Sequence, residues 1–105
     1  MSETRIEKDS LGEIRVAKDA LWGAQTQRAV NNFQFSDRKM PKAFIRALAT
    51  IKVAAAEANR QLGLLPDAKA DAIIRAGRTI LNGQHLDQFP IDVFQTGSGT
   101  SSNMN

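Results

Sequence analysis

Residues 41–62 carry the feature that most restricts the fold, because apolar side chains recur there at three- and four-residue steps. This spacing places them on one stripe of an α-helix and predicts that the stripe is buried. Pro41 suits a first helical position, and Gly63 suits the residue that ends a helix. The predicted buried stripe consists of Phe44, Ala47, Leu48, Ile51, Ala54, Ala55, Ala58 and Leu62.

A second helix is predicted directly after the first, between Pro66 and Gly83. Its buried side is expected to carry Ile73, Ala76 and Ile80. The connection 62–65 is short, so the two helices should pack antiparallel. Alanines in the first helix would allow a close approach of the second.

The residues before this pair predict a hairpin and a shorter helix. Weak alternation of apolar residues over 5–16, on both sides of Gly12, is typical of a small β-hairpin. Partial helical periodicity predicts a helix from Ala20 to Phe33, with Asp19 as its N-cap. The expected fold class is therefore mainly α, with a small N-terminal β-hairpin and an antiparallel helix pair.

Composition excludes several classes of function. The 105 residues suffice for one small domain, and the absence of Cys excludes disulfides and thiol chemistry. Basic residues are scattered, so the net charge of +3 gives little support to a nucleic-acid surface. Apolar runs are too short to span a bilayer, and the first residues do not resemble a signal peptide. These features predict a cytoplasmic protein that binds neither nucleic acid nor membrane.

The stretch Thr96–Asn103 is the part of the chain best suited to bind a ligand. Gly97 and Gly99 allow a tight turn that exposes N–H groups, and the residues around them bear hydroxyls or amides. A helix that begins near Thr100 or Ser101 would add further donors, which favours a small carboxylate.

Two nucleotide-binding motifs are not matched by this stretch. It lacks the Gly-Lys-Ser/Thr ending of a P-loop and the third glycine of a dinucleotide fingerprint. A Gly/Ser loop that only connects two elements remains an equally open interpretation. His85 is expected to be structural, Asp87 and Asp92 are expected to cap loops or form ion pairs, and metal binding has almost no support.

The chain resembles class II fumarases along nearly its whole length. The resemblance is carried by the segments 5–12, 21–28, 83–85 and 87–105, the last of which includes Thr96-Gly97-Ser98-Gly99-Thr100 and Ser101-Ser102-Asn103-Met104-Asn105. It implies fumarate hydratase activity, the reversible hydration of fumarate to L-malate in the tricarboxylic acid cycle. It also implies a homotetramer without metal or organic cofactor.

The resemblance further implies that Ser98, Gly99 and Thr100 contact a substrate carboxylate and that Asn103 supports the site. Arg28 lies in a region that approaches the active site in some members of the superfamily. The general acid and base come from later segments, so no catalytic residue is expected here. Residues 1–105 would be the N-terminal lyase domain of a longer chain, without its central helical bundle and C-terminal domain, and inactive alone.

Two alternatives to a class II fumarase remain open. Aspartate ammonia-lyase resembles the chain at Phe89-Pro90 and from Gly99 to Asn105, but it typically has Gly-Gly-Ala-Gly-Thr in place of residues 96–100. A non-catalytic helical interaction module is the other alternative.

Overall fold

The computed structural model describes residues 3–105, which form two compact units. One unit combines the residues up to Met40 with Asp87–Asn105, and the other is Pro41–Leu86. Within residues 3–105, no helix has both the length and the apolar content needed to cross a membrane. Helices dominate and the only sheet in this range has two strands, which confirms the predicted fold class.

The predicted hairpin is present in the first unit. Strands β1 (Thr4–Asp9) and β2 (Gly12–Ala17) pair antiparallel, with Thr4 opposite Ala17 and Asp9 opposite Gly12. The Asp9 carboxylate accepts the Leu11 N–H at 2.9 Å, and Gly12 takes a φ of +114° that residues with a Cβ rarely adopt. Val16 is the largest fully buried side chain in the described residues.

Helix α1 spans Ala24–Asn32, so the predicted start at Ala20 and the predicted N-cap at Asp19 are wrong. The reason lies in Arg5, whose guanidinium donates to the carbonyls of Ala17, Lys18, Ala20 and Trp22 at 2.7–2.9 Å. Carbonyls that point to one shared cation cannot also point along a helix axis. The segment 18–22 therefore stays irregular, and the helix begins after Gly23.

Helices α2 (Lys42–Gln61) and α3 (Asp67–Leu81) make up the second unit and confirm the predicted helix pair. Pro41 and Pro66 are the residues just before each helix, and Gly63 ends α2 with a φ of +73°. Arg60 near the end of α2 pairs with Asp71 near the start of α3 at 2.9 Å, as an antiparallel arrangement requires.

The buried faces of the two helices differ from the prediction. Of the predicted stripe on α2, only Leu48 is even half-buried, whereas Ile51 is 60% and Leu62 70% exposed. On α3, Ile73 and Ala76 are exposed and Ile80 is half-buried. The residues that are buried are Ile45, Ala49 and Ala56 of α2 and Ala70, Ile74 and Gly77 of α3.

Small residues explain which face is buried. A Cβ at Gly77 would overlap Cγ2 of Val53 and would lie 3.6 Å from the Ala49 carbonyl oxygen, so α2 and α3 approach closely here. Apolar residues occur on several sides of α2, and a pair of helices can bury only one side of each. The side of α2 that carries Ala49 faces Gly77, where the missing side chain permits the close approach of the two helices.

Beyond α3 the chain is largely irregular, as predicted. A 3₁₀ turn covers Leu86–Gln88, an isolated bridge joins Lys39 and Asp92, and a short helix α4 spans Thr100–Met104. The Val93 N–H also donates to the Arg38 carbonyl at 3.0 Å. These contacts fix the course of the chain that leads into residues 96–105.

Candidate functional site

The stretch Thr96–Asn103 forms the tight turn that its glycines predict. Gly97 and Gly99 both have a φ of +83°, a left-handed conformation that favours glycine. Gly99 is the N-cap of α4, which begins at Thr100, so the predicted helix start is confirmed. A side chain at either glycine would strain the backbone and change the course of the turn.

The hydroxyls of this turn interact with one another and remain open to solvent. Oγ of Ser98 lies 3.0 Å from Oγ1 of Thr96 and accepts the Thr100 N–H at 3.3 Å. Ser98, Thr100 and Asn103 are exposed, and Gly99 is half-buried. The turn therefore holds the Ser98 hydroxyl in a defined position without removing it from the surface. The contact of Ser98, Gly99 and Thr100 with a substrate carboxylate stays a prediction, as does the supporting role of Asn103.

Gln95 connects the turn to the rest of its unit. Its Oε1 accepts both the backbone N–H and the hydroxyl of Ser102 at 3.1 Å. Its Nε2 donates to the Asp92 carbonyl at 3.0 Å. The start of α4 is thereby tied to residue 92 through one side chain.

Asp92 is the buried carboxylate that anchors this arrangement. Only 2% of its surface is exposed, and its side chain accepts three backbone N–H groups and one hydroxyl. The donors are Phe94 N at 2.8 Å, Ser36 N at 2.5 Å, Ser36 Oγ at 3.0 Å and Phe35 N at 3.2 Å. The interpretation of Asp92 as a loop cap is confirmed.

Hydrogen bonding lowers the pKa of Asp92. The Phe94 N–H makes the largest contribution, and the Ser36 and Phe35 donors add to it, whereas burial acts in the opposite direction. An Asp92 carboxylate held ionised by these donors is suited to structure and poorly suited to act as a general acid.

Arg28 makes a two-point contact with Asp9. Its Nε and one terminal nitrogen donate to the two carboxylate oxygens at 2.8 and 2.9 Å, and the same terminal nitrogen reaches the Gly12 carbonyl at 3.0 Å. This pairing lowers the pKa of Asp9 and raises that of Arg28, chiefly through the hydrogen bonds between the two side chains. In the described residues, Arg28 thus joins α1 to the hairpin.

Arg5 and Gln88 have structural roles that sequence reasoning missed. In the sequence Arg5 is one of several scattered basic residues, yet its guanidinium donates hydrogen bonds to four backbone carbonyls. Gln88 accepts the Leu21 N–H at 2.8 Å through its side chain, and its carbonyl accepts from Asn105 at 3.1 Å. No pattern of residue types identifies such contacts, because their partners are backbone groups far away in sequence.

His85 is exposed and has a φ of +60°, in the left-handed region just after the Gly83 that ends α3. Among residues 3–105, no three His, Asp or Glu side chains cluster in a way that could hold a metal ion.

Two cavities lie in the unit that contains the turn. One of about 370 Å³ is bordered by the segment Phe33–Lys39 and by Pro90 and Asp92. The other, of about 450 Å³, lies between the hairpin and the start of α1. Ser98 and Thr100 border neither of these two cavities.

Comparison with known families bears on residues 12–105, which match a family model described as Lyase. The chain belongs to this lyase family. It is 60% identical over 106 residues to the class II fumarate hydratase of Halobacterium salinarum, a match that covers 100% of this chain and 23% of that protein. It is 63% identical over 101 residues to the class II fumarate hydratase of Mycobacterium tuberculosis, covering 96% of this chain and 21% of that protein.

Solved structures of this lyase family match the fold as well. A fumarate lyase:delta crystallin from Brucella melitensis, bound to cobalt, has a TM-score of 0.93 and 51% identity, over 97% of this chain and 23% of that chain. A recombinant class II fumarase from Schistosoma mansoni has a TM-score of 0.92 and 42% identity, over 96% and 22%. The resemblance to class II fumarases is thereby confirmed. The chain spans about a fifth to a quarter of the length of these relatives.

Proposed function

We propose that the protein to which this chain belongs is a class II fumarate hydratase, a carbon–oxygen lyase that reversibly hydrates fumarate to L-malate in the tricarboxylic acid cycle. The observation that carries this proposal is the 60–63% identity to class II fumarate hydratases over nearly the whole chain. Residues 1–105 would be its N-terminal lyase domain, and the complete enzyme a cytoplasmic homotetramer.

The chemical part assigned to this chain is to hold one carboxylate of the substrate. Ser98 and Thr100 offer exposed hydroxyls on a turn fixed by two left-handed glycines, and Gly99 offers a backbone without a side chain in the way. Asn103, on the exposed side of α4, would support the bound anion with its amide. These donors support the binding of a carboxylate at this turn.

Holding the carboxylate also assists the reaction. When a proton leaves the carbon next to a carboxylate, negative charge develops on that carboxylate, so hydrogen bonds to it strengthen in the transition state. A hydrogen bond to a charged group contributes about 1.5–3 kcal/mol. The groups that remove the proton and release water would lie outside residues 1–105, so this segment alone should show no hydratase activity.

The test uses the complete protein with Ser98→Ala or Thr100→Val. Each change should lower kcat/KM for fumarate by about ten- to a hundredfold, which corresponds to the loss of one such hydrogen bond. Thr50→Val is the matched control, because Thr50 is exposed and its hydroxyl donates to the Arg46 carbonyl of its own helix at 2.9 Å. The assay follows the absorbance of fumarate.

One result would overturn the assigned site and another the proposed reaction. Unchanged kcat/KM in both variants would remove Ser98 and Thr100 from the site. Release of ammonia from aspartate by the unmodified protein, without hydration of fumarate, would make it an aspartate ammonia-lyase.

A further inference from the structure

The side chains of Thr96 and Ser98 form a pair of hydroxyls on the turn at residues 96–103. Their oxygens lie 3.0 Å apart, and either hydroxyl can be the donor. Both residues are exposed, so burial in a core does not force the contact. The proposed contact with a substrate carboxylate involves Ser98 and gives no role to Thr96.

The backbone of the turn holds the two hydroxyls together. Gly97 lies between Thr96 and Ser98, and its φ of +83° is a left-handed conformation that bends the chain at this point. Gln95, the residue just before the pair, accepts the N–H and the hydroxyl of Ser102 at 3.1 Å. The two ends of the bend are therefore tied to each other through the Gln95 side chain.

The Ser98 hydroxyl has one proton to donate and two positions at which it accepts. The Thr100 N–H occupies one accepting position at 3.3 Å. When Thr96 donates to Ser98, the second accepting position is filled as well. The Ser98 proton is then the one part of this hydroxyl left for a ligand. Such a hydroxyl can bind only a group that accepts, for example a carboxylate oxygen.

The Thr96 hydroxyl is able to serve as this donor. Within residues 3–105, the bond to Ser98 is the one hydrogen bond that the Thr96 hydroxyl makes, so no other acceptor takes its proton. When an anion accepts the Ser98 proton, the contact of 3.0 Å persists as a hydrogen bond only if Thr96 is the donor. Hydrogen bonds joined in this way polarise one another, which strengthens the bond from Ser98 to the anion.

We propose that Thr96 is a positioning residue for the carboxylate site, because its hydroxyl donates to Ser98 Oγ and directs the Ser98 proton to the substrate. Thr96 does not touch the substrate, and its whole effect passes through Ser98. This inference rests on the proposed fumarate hydratase reaction, in which Ser98 holds one carboxylate. The effect should be largest in the transition state, where negative charge on that carboxylate grows.

The experiment is a double-mutant cycle in the complete protein, with kcat/KM for fumarate as the measured quantity. Thr96→Val replaces the hydroxyl by a methyl group and should lower kcat/KM about three- to tenfold, the loss of one hydrogen bond between neutral groups. In the Ser98→Ala background the same substitution should cause no further loss. Thr96→Ser keeps the hydroxyl and should keep kcat/KM within about twofold of the unmodified protein.

Two controls separate positioning from an effect on folding. The melting temperature of the Thr96→Val protein should equal that of the unmodified protein, because the side chain is exposed. Thr50→Val removes an exposed hydroxyl that donates to the Arg46 carbonyl of its own helix, and it should leave kcat/KM unchanged.

The possible failures can be told apart. If Thr96→Val leaves kcat/KM unchanged while Ser98→Ala lowers it, the role of Thr96 is refuted and the proposed function stands. Losses that multiply in the double variant would also refute it, since Thr96 would then act by a route other than Ser98. The same holds if Thr96→Ser is as impaired as Thr96→Val. Unchanged kcat/KM in Ser98→Ala would overturn the assigned carboxylate site together with this inference.

Discussion

Gly77 is the point at which α2 and α3 approach closely, and its replacement by Ala gives the sharpest test of the packing. The added Cβ overlaps Cγ2 of Val53, and a β-branched side chain inside a helix has almost no freedom to turn away. Overpacking of this kind costs about 1–3 kcal/mol. Replacing Gly by Ala in a helix raises the free energy of unfolding by about 1 kcal/mol through helix propensity. The net expectation is a loss of about 0–2 kcal/mol in the free energy of unfolding.

The decisive measurement is made in a second background. Val53→Ala removes the atom that the new Cβ meets, so Gly77→Ala in that background should raise the free energy of unfolding by about 1 kcal/mol. The effect of the same substitution thus changes from harmful or neutral to favourable. Urea denaturation followed by far-UV circular dichroism gives the four free energies of the cycle, provided that the denaturant slope stays constant.

Ala76→Gly is the matched control, because Ala76 is exposed on the same helix and reports helix propensity without packing. It should lower the free energy of unfolding by about 1 kcal/mol. The reasoning fails if Gly77→Ala alone raises the free energy of unfolding by about 1 kcal/mol and has the same effect in the Val53→Ala background. The two helices would then not meet at Gly77.

Three further predictions concern burial and charge. Ile74→Ala should lower the free energy of unfolding by about 2–5 kcal/mol, and Ile73→Ala by well under half as much, because only Ile74 is buried; equal losses in urea denaturation would contradict the observed helix face. Arg28→Lys should lower the melting temperature, since an ammonium cannot bond both Asp9 oxygens; an unchanged melting curve would show that the two-point contact is unimportant. The pKa values of Asp9 and Asp92 are lowered from 3.8, so their carboxylates stabilise the fold fully above that pH and lose this effect as the pH falls through the folded values. Asp92→Asn should therefore be less stable at neutral pH and show a smaller further decline in acid, measured as unfolding free energy against pH.

The elements that follow from local rules were predictable from the sequence. Proline before a helix and glycine after it place α2 and α3 to within a residue or two, because these residues act through their own backbone. The hairpin and the turn at Gly97 and Gly99 follow from the same local chemistry. The start of α1 does not, because the Arg5 side chain, far from it in sequence, keeps the preceding segment irregular.

The buried helix faces could not be predicted for a different reason. Periodicity shows where apolar residues lie on a helix, but α2 has them on several sides. The choice among sides depends on which partner residue is small enough for close approach, and that residue is Gly77 in another helix. The role of Gln95 could not be predicted for a similar reason, because it accepts the backbone N–H of Ser102. Asp92 was predicted to cap a loop, but its partners, the N–H groups of Phe35 and Ser36, were not predictable.

The first unit is discontinuous in sequence, and this has a consequence for how the chain assembles. Backbone hydrogen bonding joins residues 38–39 to residues 92–93. The chain therefore leaves the first unit and returns to it at neighbouring points. The helix pair between them needs only local contacts and should form early, whereas the first unit must wait until its two halves meet. Because closure entropy grows slowly with loop length, exchanging Pro41–Leu86 for a short flexible linker should leave the halves able to find each other. In such a chain the first unit should still fold, because the helix pair would have been an insertion that the first unit does not need.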